Sequence, residues 1–354
     1  MEARRTTLVV LFGGQSAEHD VSCVSAAHVI AAVDPSLFDV VAVGIARDGT
    51  WHRSPSHTFR GDAPRTPVDV LSVTGPPVEP TTVIASEEGP VVVVPLLHGP
   101  LGEDGTVQGL LELLGVPYVG AGVLSSALAM DKALAKQVFA QAGIPQARHV
   151  ALHSDECTGA AVSAAFAALG GDVFVKPANM GSSVGVSHAV TPDEAQAAVM
   201  LACAYDNWVV IEEAIHGREI EVSVLGNRDP RASLPGEIIP ARDFYDYADK
   251  YEDGAATLSV PAGLTDAQTA EIRGLAVRAY RALRCEGMAR VDFFLEENGR
   301  GFLVNEINTI PGFTPISMYP KMWEATGLPY RELVTELVRL AGERHASRKR
   351  NTAH

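Results

Sequence analysis

The sequence predicts an α/β protein of three domains, in which a parallel-sheet domain is followed by two domains of the α+β type. Three observations support this fold class. First, 354 residues exceed what one hydrophobic core usually organises. Second, residues 7–45 read as an apolar strand, a glycine pair, a helix and another apolar strand, which is typical of a parallel α/β unit. Third, strands of alternating apolar and polar residues appear after residue 216, and such alternation favours antiparallel sheets.

The composition of the chain indicates which kinds of binding partner the protein can have. Hydrophobic residues make up 47% of the chain and charged residues 20%, as in soluble globular proteins. A net charge of −15 argues against a nucleic-acid partner, although a few local lysines can still bind an anionic small molecule. The four cysteines lack metal-type spacing, and the first apolar run is too short for a signal peptide or a membrane span. We therefore expect a cytoplasmic protein with reduced thiols and no nucleic-acid or membrane partner.

The N-terminal domain is predicted at residues 1–125. Its expected elements are a strand at 7–12, a helix from about 18–22 to 32, a strand at 40–45, an irregular insertion with short strands at 47–88, a strand at 91–97 and a helix ending at 114. The last strand delivers His98 and a glycine-rich run to the sheet edge. Ligands gather at the carboxyl ends of parallel strands, so this edge is a candidate site.

The central domain is predicted at residues 126–216. Its expected elements are a helix at 125–142, a strand at 173–177, a loop at 179–186, a helix at 192–204 and a strand at 208–212. Lys176 lies at a strand end, and Gly181, Ser182 and Ser183 follow it. An ammonium beside several backbone N–H groups can hold a polyphosphate, whereas the alternative is a plain Gly/Ser turn with a solvated lysine. The chain contains no GxxxxGK[ST] motif, so this is not a Walker loop.

A second candidate for nucleotide binding follows the strand at 208–212. Residues 212–215 offer backbone N–H and C=O groups to an adenine edge, and Glu212 or Glu219 could accept from the ribose or the exocyclic amine. Taken singly, these glutamates are more often surface residues.

The C-terminal domain, residues 217–345, contains a hairpin that predicts a metal site; residues 346–354 are expected to form a frayed tail. Two apolar strands flank an Asn298-Gly299 turn, a strong hairpin signal. The first strand places Arg290 and Asp292 on one face, and the second places Glu306 and Asn308 on one face. Three hard oxygen ligands converging in this way favour Mg²⁺ with substrate phosphates, whereas the alternative is a polar sheet face that meets water.

The register of this hairpin decides whether its ligands meet. A two-residue Asn298-Gly299 turn pairs Asp292 with Asn305 and turns Glu306 to the opposite face. We predict a bulge at Arg300-Gly301, because one extra residue there restores Asp292 opposite Glu306 and bulges favour glycine.

These motifs together resemble the D-alanine–D-alanine ligase family of the ATP-grasp superfamily, over nearly the whole chain. Each motif alone is weak or moderate, but their joint order is specific. The motifs that carry the resemblance are the N-terminal segment 13–22, the segment 98–109, Lys132, Lys176-Pro177, the loop 181–185, Glu212-Glu213, Arg290-Val-Asp292 and the segment 305–312.

The resemblance implies a three-domain ATP-grasp architecture and a set of site residues. Implied ATP contacts are Lys132, Lys176, Ser183, Glu212, Glu213, Ile215, Glu219, Phe244, Lys250 and Asn305. Implied ligands for two Mg²⁺ ions, with Mn²⁺ able to substitute, are Asp292, Glu306 and Asn308. Implied substrate-binding residues are His98, Ser317 and Met318. Implied catalytic residues are Glu18, Ser182, Tyr251, Arg290 and Gly312.

The implied activity is ATP-dependent ligation of two D-alanines through a D-alanyl phosphate, for peptidoglycan precursors in the cytoplasm, by a homodimer that pairs through its N-terminal domain. Two alternatives remain open. The first is a D-alanine–D-lactate ligase, although such relatives lack the Lys250-Tyr251 pair. The second is a non-catalytic ATP-binding regulatory module, because a fold does not by itself give a function.

Overall fold

The computed structural model describes residues 5–59, 68–85, 87, 89–239 and 257–348. Its first sheet has the strand order β3-β2-β1-β4. The strands are β1 (Thr6–Gly13), β2 (Phe38–Ile45), β3 (Trp51–Phe59) and β4 (Val91–Pro95). β1 pairs in parallel with both β2 and β4, whereas β3 is an antiparallel edge strand. The predicted parallel unit is therefore confirmed, and the insertion after β2 begins with a regular nine-residue strand.

Helices cover both faces of this sheet. They are α1 (His19–Ala32), α2 (Pro80–Ala85) and α3 (Thr106–Leu113). β1 is apolar throughout because both of its faces are buried: Leu8 and Val10 join the core with α1, and Val9 and Leu11 join the core with α3. The carboxyl ends of β1 and β4 thus open toward α1 and the segment that begins at His98.

The helix predicted at 125–142 is two helices, so the prediction of one element is wrong. They are α4 (Val123–Met130) and α5 (Lys132–Gln141). Asp131 between them is extended, with φ −81° and ψ 98°, and its side chain accepts a hydrogen bond from the Leu134 N–H at 2.9 Å. An N-cap aspartate of this kind starts a new helix, which gives Lys132 a first-turn position.

The second sheet is antiparallel throughout, with the order β5-β8-β6-β7. Its elements are β5 (His149–His153), α6 (Gly159–Ala168), β6 (Val173–Pro177), β7 (Ser187–Ala189), α7 (Pro192–Cys203) and β8 (Trp208–Glu213). α6 and α7 pack on one face around Val162 and Val199. The other face points toward the third sheet and carries Lys176.

The third sheet has the order β12-β11-β9-β13-β14, with β10 paired to β9. Its strands are β9 (Arg218–Leu225), β10 (Arg231–Ala232), β11 (Gly236–Ile239), β12 (Thr257–Ser259), β13 (Met288–Glu296) and β14 (Gly301–Asn308). The accompanying helices are α8 (Asp266–Ala282), α9 (Met318–Ala325) and α10 (Tyr330–Ser347). α10 returns to the first sheet, where Leu333 and Leu337 share a core with Val29 and Val94.

The β13–β14 hairpin contains the predicted bulge at a different residue. Asp292 lies opposite Glu306, as predicted. However, the pairs from Glu296–Gly301 to Phe293–Val304 keep the register that a two-residue turn gives. The register shifts by one residue only between Phe293 and Asp292, so Asn305 is the extra, unpaired residue. The location at Arg300-Gly301 is wrong: Gly301, at φ +77°, closes the turn and remains paired. A bulge at Asn305 adds its side chain to the face that carries Glu306.

The cap at Asp131 is open to a stability test. Asp131→Ala should lower the free energy of unfolding by about 1 kcal/mol, because the first turn of α5 loses its side-chain acceptor. Urea denaturation followed by circular dichroism measures the change. Asp131→Asn is the matched control and should cost much less, since asparagine caps equally well. Equal losses in both variants would contradict the capping role.

Candidate active site

One cleft brings most of the predicted site residues together. It lies between α1, the loop at 181–186 and the β13–β14 hairpin, with a volume of about 250 Å³. The predicted residues that line it are Glu18, His98, Ser182, Glu219, Arg290, Asp292, Asn305, Glu306, Asn308, Gly312, Ser317 and Met318. A smaller recess that shares Glu306 and Asn308 with this cleft adds Lys132.

Glu18 and Ser182 connect the N-terminal helix to the Gly/Ser-rich loop. The Ser182 hydroxyl donates to Glu18 Oε1. The other oxygen, Oε2, lies against two glycines: an added Cβ would be 3.1 Å from it at Gly181 and 3.0 Å from it at Gly99. Small residues on both sides thus let the carboxylate enter the cleft, where it can pair with an ammonium group.

His98 is buried behind this carboxylate. Its Nδ1 lies 3.1 Å from the Ile310 carbonyl oxygen and 3.8 Å from Glu103 Oε1, and its Nε2 lies 3.4 Å from Ser25 Oγ. Burial lowers the pKa of His98, but the nearby carboxylates of Glu103 and Glu18 and the Ile310 carbonyl outweigh burial and raise the pKa above its usual value. His98 therefore favours the imidazolium form more than an ordinary buried histidine does.

Arg290 lies between two carboxylates on the face of the third sheet. Its Nε and Nη2 donate to the two oxygens of Asp292, both at 2.7 Å, and its Nε is 3.1 Å from Glu221 Oε1. Burial lowers the pKa of Arg290, but Asp292 and Glu221 outweigh it and hold the pKa well above the usual value. The guanidinium is a fixed positive charge that faces the cleft.

The predicted metal ligands have the chemistry that Mg²⁺ requires. Asn308 Nδ2 donates to Asp292 Oδ2 at 2.8 Å, and Lys132 Nζ is 3.5 Å from Glu306 Oε2. Within the described ranges, no group of three or more His, Cys, Asp or Glu side chains could hold a metal ion. Two carboxylates and one amide oxygen leave coordination positions for phosphate oxygens and water, which is how Mg²⁺ usually binds with nucleotides. The donor set fits a shared metal–phosphate site.

Two lysines converge on one buried glutamate. Lys176 Nζ donates to Glu212 Oε2 at 2.7 Å and to Asn305 Oδ1 at 3.2 Å, and Lys136 Nζ donates to Glu212 Oε1 at 2.6 Å. Burial raises the pKa of Glu212, but the two ammonium groups outweigh burial and bring the pKa down to about 2. Glu212 therefore stays ionised and holds Lys176 beside the hairpin.

The loop after β6 carries backbone strain at two residues. Ser182 has φ 49° and Ser183 has φ 59°, in the left-handed region that side chains disfavour. Strain of this kind costs about 1 kcal/mol or more per residue and is concentrated at functional sites. This loop is the one whose backbone N–H groups were predicted to meet phosphate.

The predicted adenosine contacts lie at the end of β8 and the start of β9. The Glu213 carboxylate accepts from the Arg148 N–H at 2.7 Å and from the guanidinium groups of Arg148 and Arg300. A contact from Glu213 to a base would therefore use its backbone. Ile215 follows β8 and is half-buried, and Glu219 lines the cleft.

Gly312, Ser317 and Met318 lie together at the start of α9. A Cβ added to Gly312 would be 2.6 Å from Ser317 Oγ, so a larger residue there would displace the Ser317 hydroxyl. Phe244, Lys250 and Tyr251, which were also predicted to belong to the site, lie outside the described residues.

Further residues that contact the predicted set and were not assigned a role from the sequence include Ser25, Glu103, Lys136 and Glu221. Lys136 lies one helical turn after Lys132, and Glu221 alternates with Glu219 on β9, so periodicity could have found both. Ser25 has no local signal, because its partners His98 and Phe313 are distant in the chain.

Lys176 and the strained loop after β6 belong to one antiparallel sheet and face carboxylate and amide oxygens on a second sheet, which is the arrangement of an ATP-grasp ligase. Two sequence profiles agree: "D-ala D-ala ligase N-terminus" matches residues 7–121 and "D-ala D-ala ligase C-terminus" matches residues 138–339. The chain belongs to the D-alanine–D-alanine ligase family.

Individual relatives match over nearly their full lengths. A D-alanine–D-alanine ligase from Geobacillus thermodenitrificans is 45% identical, with 98% of each chain covered. One from a Thermoanaerobacter species is 46% identical, covering 96% of this chain and 97% of the relative.

Solved structures are similar too. The D-alanine-D-alanine ligase from Coxiella burnetii has a TM-score of 0.81 at 38% identity, covering 97% of this chain and 96% of its own. The VanG D-Ala:D-Ser ligase from Enterococcus faecalis also has a TM-score of 0.81, at 33% identity, covering 96% of this chain and 100% of its own. Within the described ranges, every helix is too short or too polar to cross a bilayer.

The ion pairs of Glu212 predict how stability depends on pH. A carboxylate whose pKa falls from 4.5 to about 2 on folding stabilises the protein above pH 4.5 and loses this effect as the pH falls through 2. Glu212→Gln should lower the free energy of unfolding by about 3 kcal/mol near neutral pH, because two buried ammonium groups lose their partner.

Urea unfolding of both proteins between pH 7 and pH 2 measures the effect. The difference between them should shrink as the pH falls below 4.5. The control is Glu324→Gln on the exposed face of α9, which should behave as the parent. A difference that stays constant down to pH 2 would contradict the ion-pair explanation.

Proposed function

We propose that the protein joins two D-alanines to D-alanyl-D-alanine, with conversion of ATP to ADP and phosphate, for peptidoglycan precursor synthesis. The observation that carries the proposal is that the Glu18–Ser182 pair and the Asp292–Glu306 pair face the same cleft. A carboxylate able to hold an amino acid's ammonium thus lies beside ligands suited to metal-bound phosphates. The names of the relatives at 45% and 46% identity support D-alanine as the substrate.

In the first step, a carboxylate oxygen of one D-alanine attacks the γ-phosphorus of ATP. The new O–P bond forms as the bond to the bridging oxygen breaks, which releases ADP and leaves D-alanyl phosphate. Glu18 pairs with the ammonium of this D-alanine, and His98 stands behind Glu18. Lys132 and Lys176 hold the phosphates, and holding both reactants in line supplies much of the rate enhancement.

Asp292, Glu306 and Asn308 would hold two Mg²⁺ ions, with Mn²⁺ able to substitute, and the ions would neutralise charge that builds up on the phosphates. Ser183, Asn305 and the 212–219 segment complete the ATP site in this proposal. The charge on Arg290 keeps Asp292 in place on the hairpin.

In the second step, the free amine of the other D-alanine attacks the carbonyl carbon of D-alanyl phosphate. The C–N bond forms and the carbonyl oxygen becomes an oxyanion. The carbonyl then re-forms as the C–O bond to phosphate breaks, and the departing phosphate takes the proton that the nitrogen loses. Arg290 and the Gly312 N–H stabilise the oxyanion. Ser317 and Met318 receive the carboxylate of the second D-alanine, Ser317 through its hydroxyl and Met318 through its N–H.

We further propose a homodimer, a cytoplasmic location and domains at residues 1–125, 126–216 and 217–345. The three separate sheets support these domain limits. The relatives are named as dipeptide ligases, so neither the D-lactate ligase nor the non-catalytic module is favoured. Similarity to the VanG enzyme makes D-serine a second candidate for the acceptor amine.

A coupled assay of phosphate release tests the activity. With ATP and Mg²⁺, D-alanine should stimulate phosphate release and yield a dipeptide by mass spectrometry, whereas L-alanine should not. Equimolar D-alanine, D-serine and D-lactate in one reaction should give D-alanyl-D-alanine as the main product. If D-alanine leaves phosphate release at its background rate, the proposed function is refuted. If the main product joins D-alanine to D-serine or D-lactate, the assignment of D-alanine as acceptor is refuted.

The oxyanion role of Arg290 predicts a loss in kcat. Arg290→Lys keeps the charge but loses the two-pronged geometry, so kcat for dipeptide formation should fall by about 100-fold. Arg218→Lys is the matched control, because Arg218 also pairs with a carboxylate through two nitrogens, those of Glu237, and does not line the cleft. Comparable kcat values for the two variants would contradict this role, and thermal shifts with ADP verify that both still bind nucleotide.

A further inference from the structure

Ser317 occupies the N-cap of α9 but does not cap it. Serine at this position usually accepts from the backbone N–H two or three residues later. Among the described residues, the Ser317 side chain makes no such bond, and its backbone is extended, with φ −65° and ψ 132°. The third position of α9 is Pro320, which has no N–H to offer. The first turn thus lacks one of the two N–H groups that a capping hydroxyl can meet, and Ser317 does not bond to the other one, that of Tyr319.

The Ser317 hydroxyl instead contacts Thr314. The Thr314 N–H donates to Ser317 Oγ at 3.0 Å, and Thr314 Oγ1 lies 2.8 Å from Ser317 Oγ. The Ser317 N–H is also engaged, because it donates to the Thr314 carbonyl oxygen at 3.0 Å. Thr314 therefore contacts Ser317 through its amide, its carbonyl and its hydroxyl, and both residues line the cleft.

We propose that Thr314 is a positioning residue that orients the Ser317 hydroxyl to donate its proton to the acceptor amino acid's carboxylate. This inference rests on the proposed function, in which Ser317 receives that carboxylate. A hydroxyl has one donor and two acceptor sites. The Thr314 N–H fills one acceptor site and the Thr314 hydroxyl proton fills the other, which leaves the Ser317 proton for the ligand.

The direction of the Thr314–Ser317 bond follows from the charge of the ligand. If Ser317 donated to Thr314 instead, a lone pair of Ser317 would face a carboxylate, and two acceptors repel each other. Gly312 keeps this hydroxyl next to the proposed oxyanion site, because a Cβ there would lie 2.6 Å from Ser317 Oγ. The turn from 312 to 317 thus couples the position of the acceptor to that of the reacting carbonyl.

Thr314→Val tests the proposal, since valine keeps the shape and the amide but removes the hydroxyl. The D-alanine concentration that half-saturates dipeptide formation should rise about five- to tenfold, the usual worth of one hydrogen bond between neutral groups. Trapping D-alanyl phosphate with hydroxylamine measures the first step alone, and its D-alanine and ATP dependence should stay unchanged. Thr314→Ser restores the hydroxyl and should behave as the parent.

A double-mutant cycle shows whether Thr314 acts through Ser317. Ser317→Ala should weaken binding of the acceptor D-alanine more than Thr314→Val does. The double variant should have the same half-saturating D-alanine concentration as Ser317→Ala alone. The proposal would be overturned if the two substitutions raised the half-saturating D-alanine concentration by factors that multiply in the double variant. It would also be overturned if Thr314→Val had the same half-saturating concentration as the parent. If Thr314→Val does not fold, Thr314→Ala replaces it in the same cycle.

The outcome also separates this inference from the proposed function. A parent protein with D-alanine-dependent phosphate release and a Thr314→Val variant with unchanged kinetics would overturn the inference alone. A parent without that activity would overturn both.

Discussion

The pairing of Asp292 with Glu306 is the constraint on which the rest of the site depends. Side chains alternate along a strand, so the extra residue Asn305 decides whether Glu306 faces the cleft or the core. The same bulge places Asn305 within reach of Lys176, which links the hairpin to the second sheet. One irregularity in the strand pairing thus orients the proposed metal ligands and places Lys176 next to the hairpin.

Ion pairs hold the buried charged side chains of the site in place, and these side chains keep their charges. Glu212 is shared by Lys136 and Lys176, and Arg290 is shared by Asp292 and Glu221. Burying a single charge is costly, but a buried group with partners on two sides can remain ionised. Paired charges therefore hold in place the side chains to which we assign the proposed polyphosphate and oxyanion contacts.

The sequence predicted most of the elements, because apolar runs, alternation and glycine turns are local signals. β1, α1, β6 and the hairpin strands all follow from such patterns. The predicted bulge was misplaced because glycine is typical of bulges and Gly301 is the glycine in β14. Gly301 is in fact paired at the end of the turn, and no local sequence signal indicates that Asn305 is unpaired. The sequence also predicted one helix across Asp131, since an aspartate can occur inside a helix or cap the next one. Ser25 could not be assigned a role, because its contacts depend on how distant segments pack.

The packing of α10 on the first sheet has a consequence for how the chain acquires its structure. Leu333 and Leu337 complete a core that β1 and α1 begin, so the first and last described segments depend on each other. Contacts of such large sequence separation form slowly, since the whole intervening chain must be confined. During synthesis on the ribosome, the apolar face around Val29 and Val94 is fully covered only after later segments, which carry Met288, Phe313 and Leu337, have emerged. Without the later segments, the amino-terminal third would expose this apolar face, and exposed apolar surface of this kind attracts chaperones.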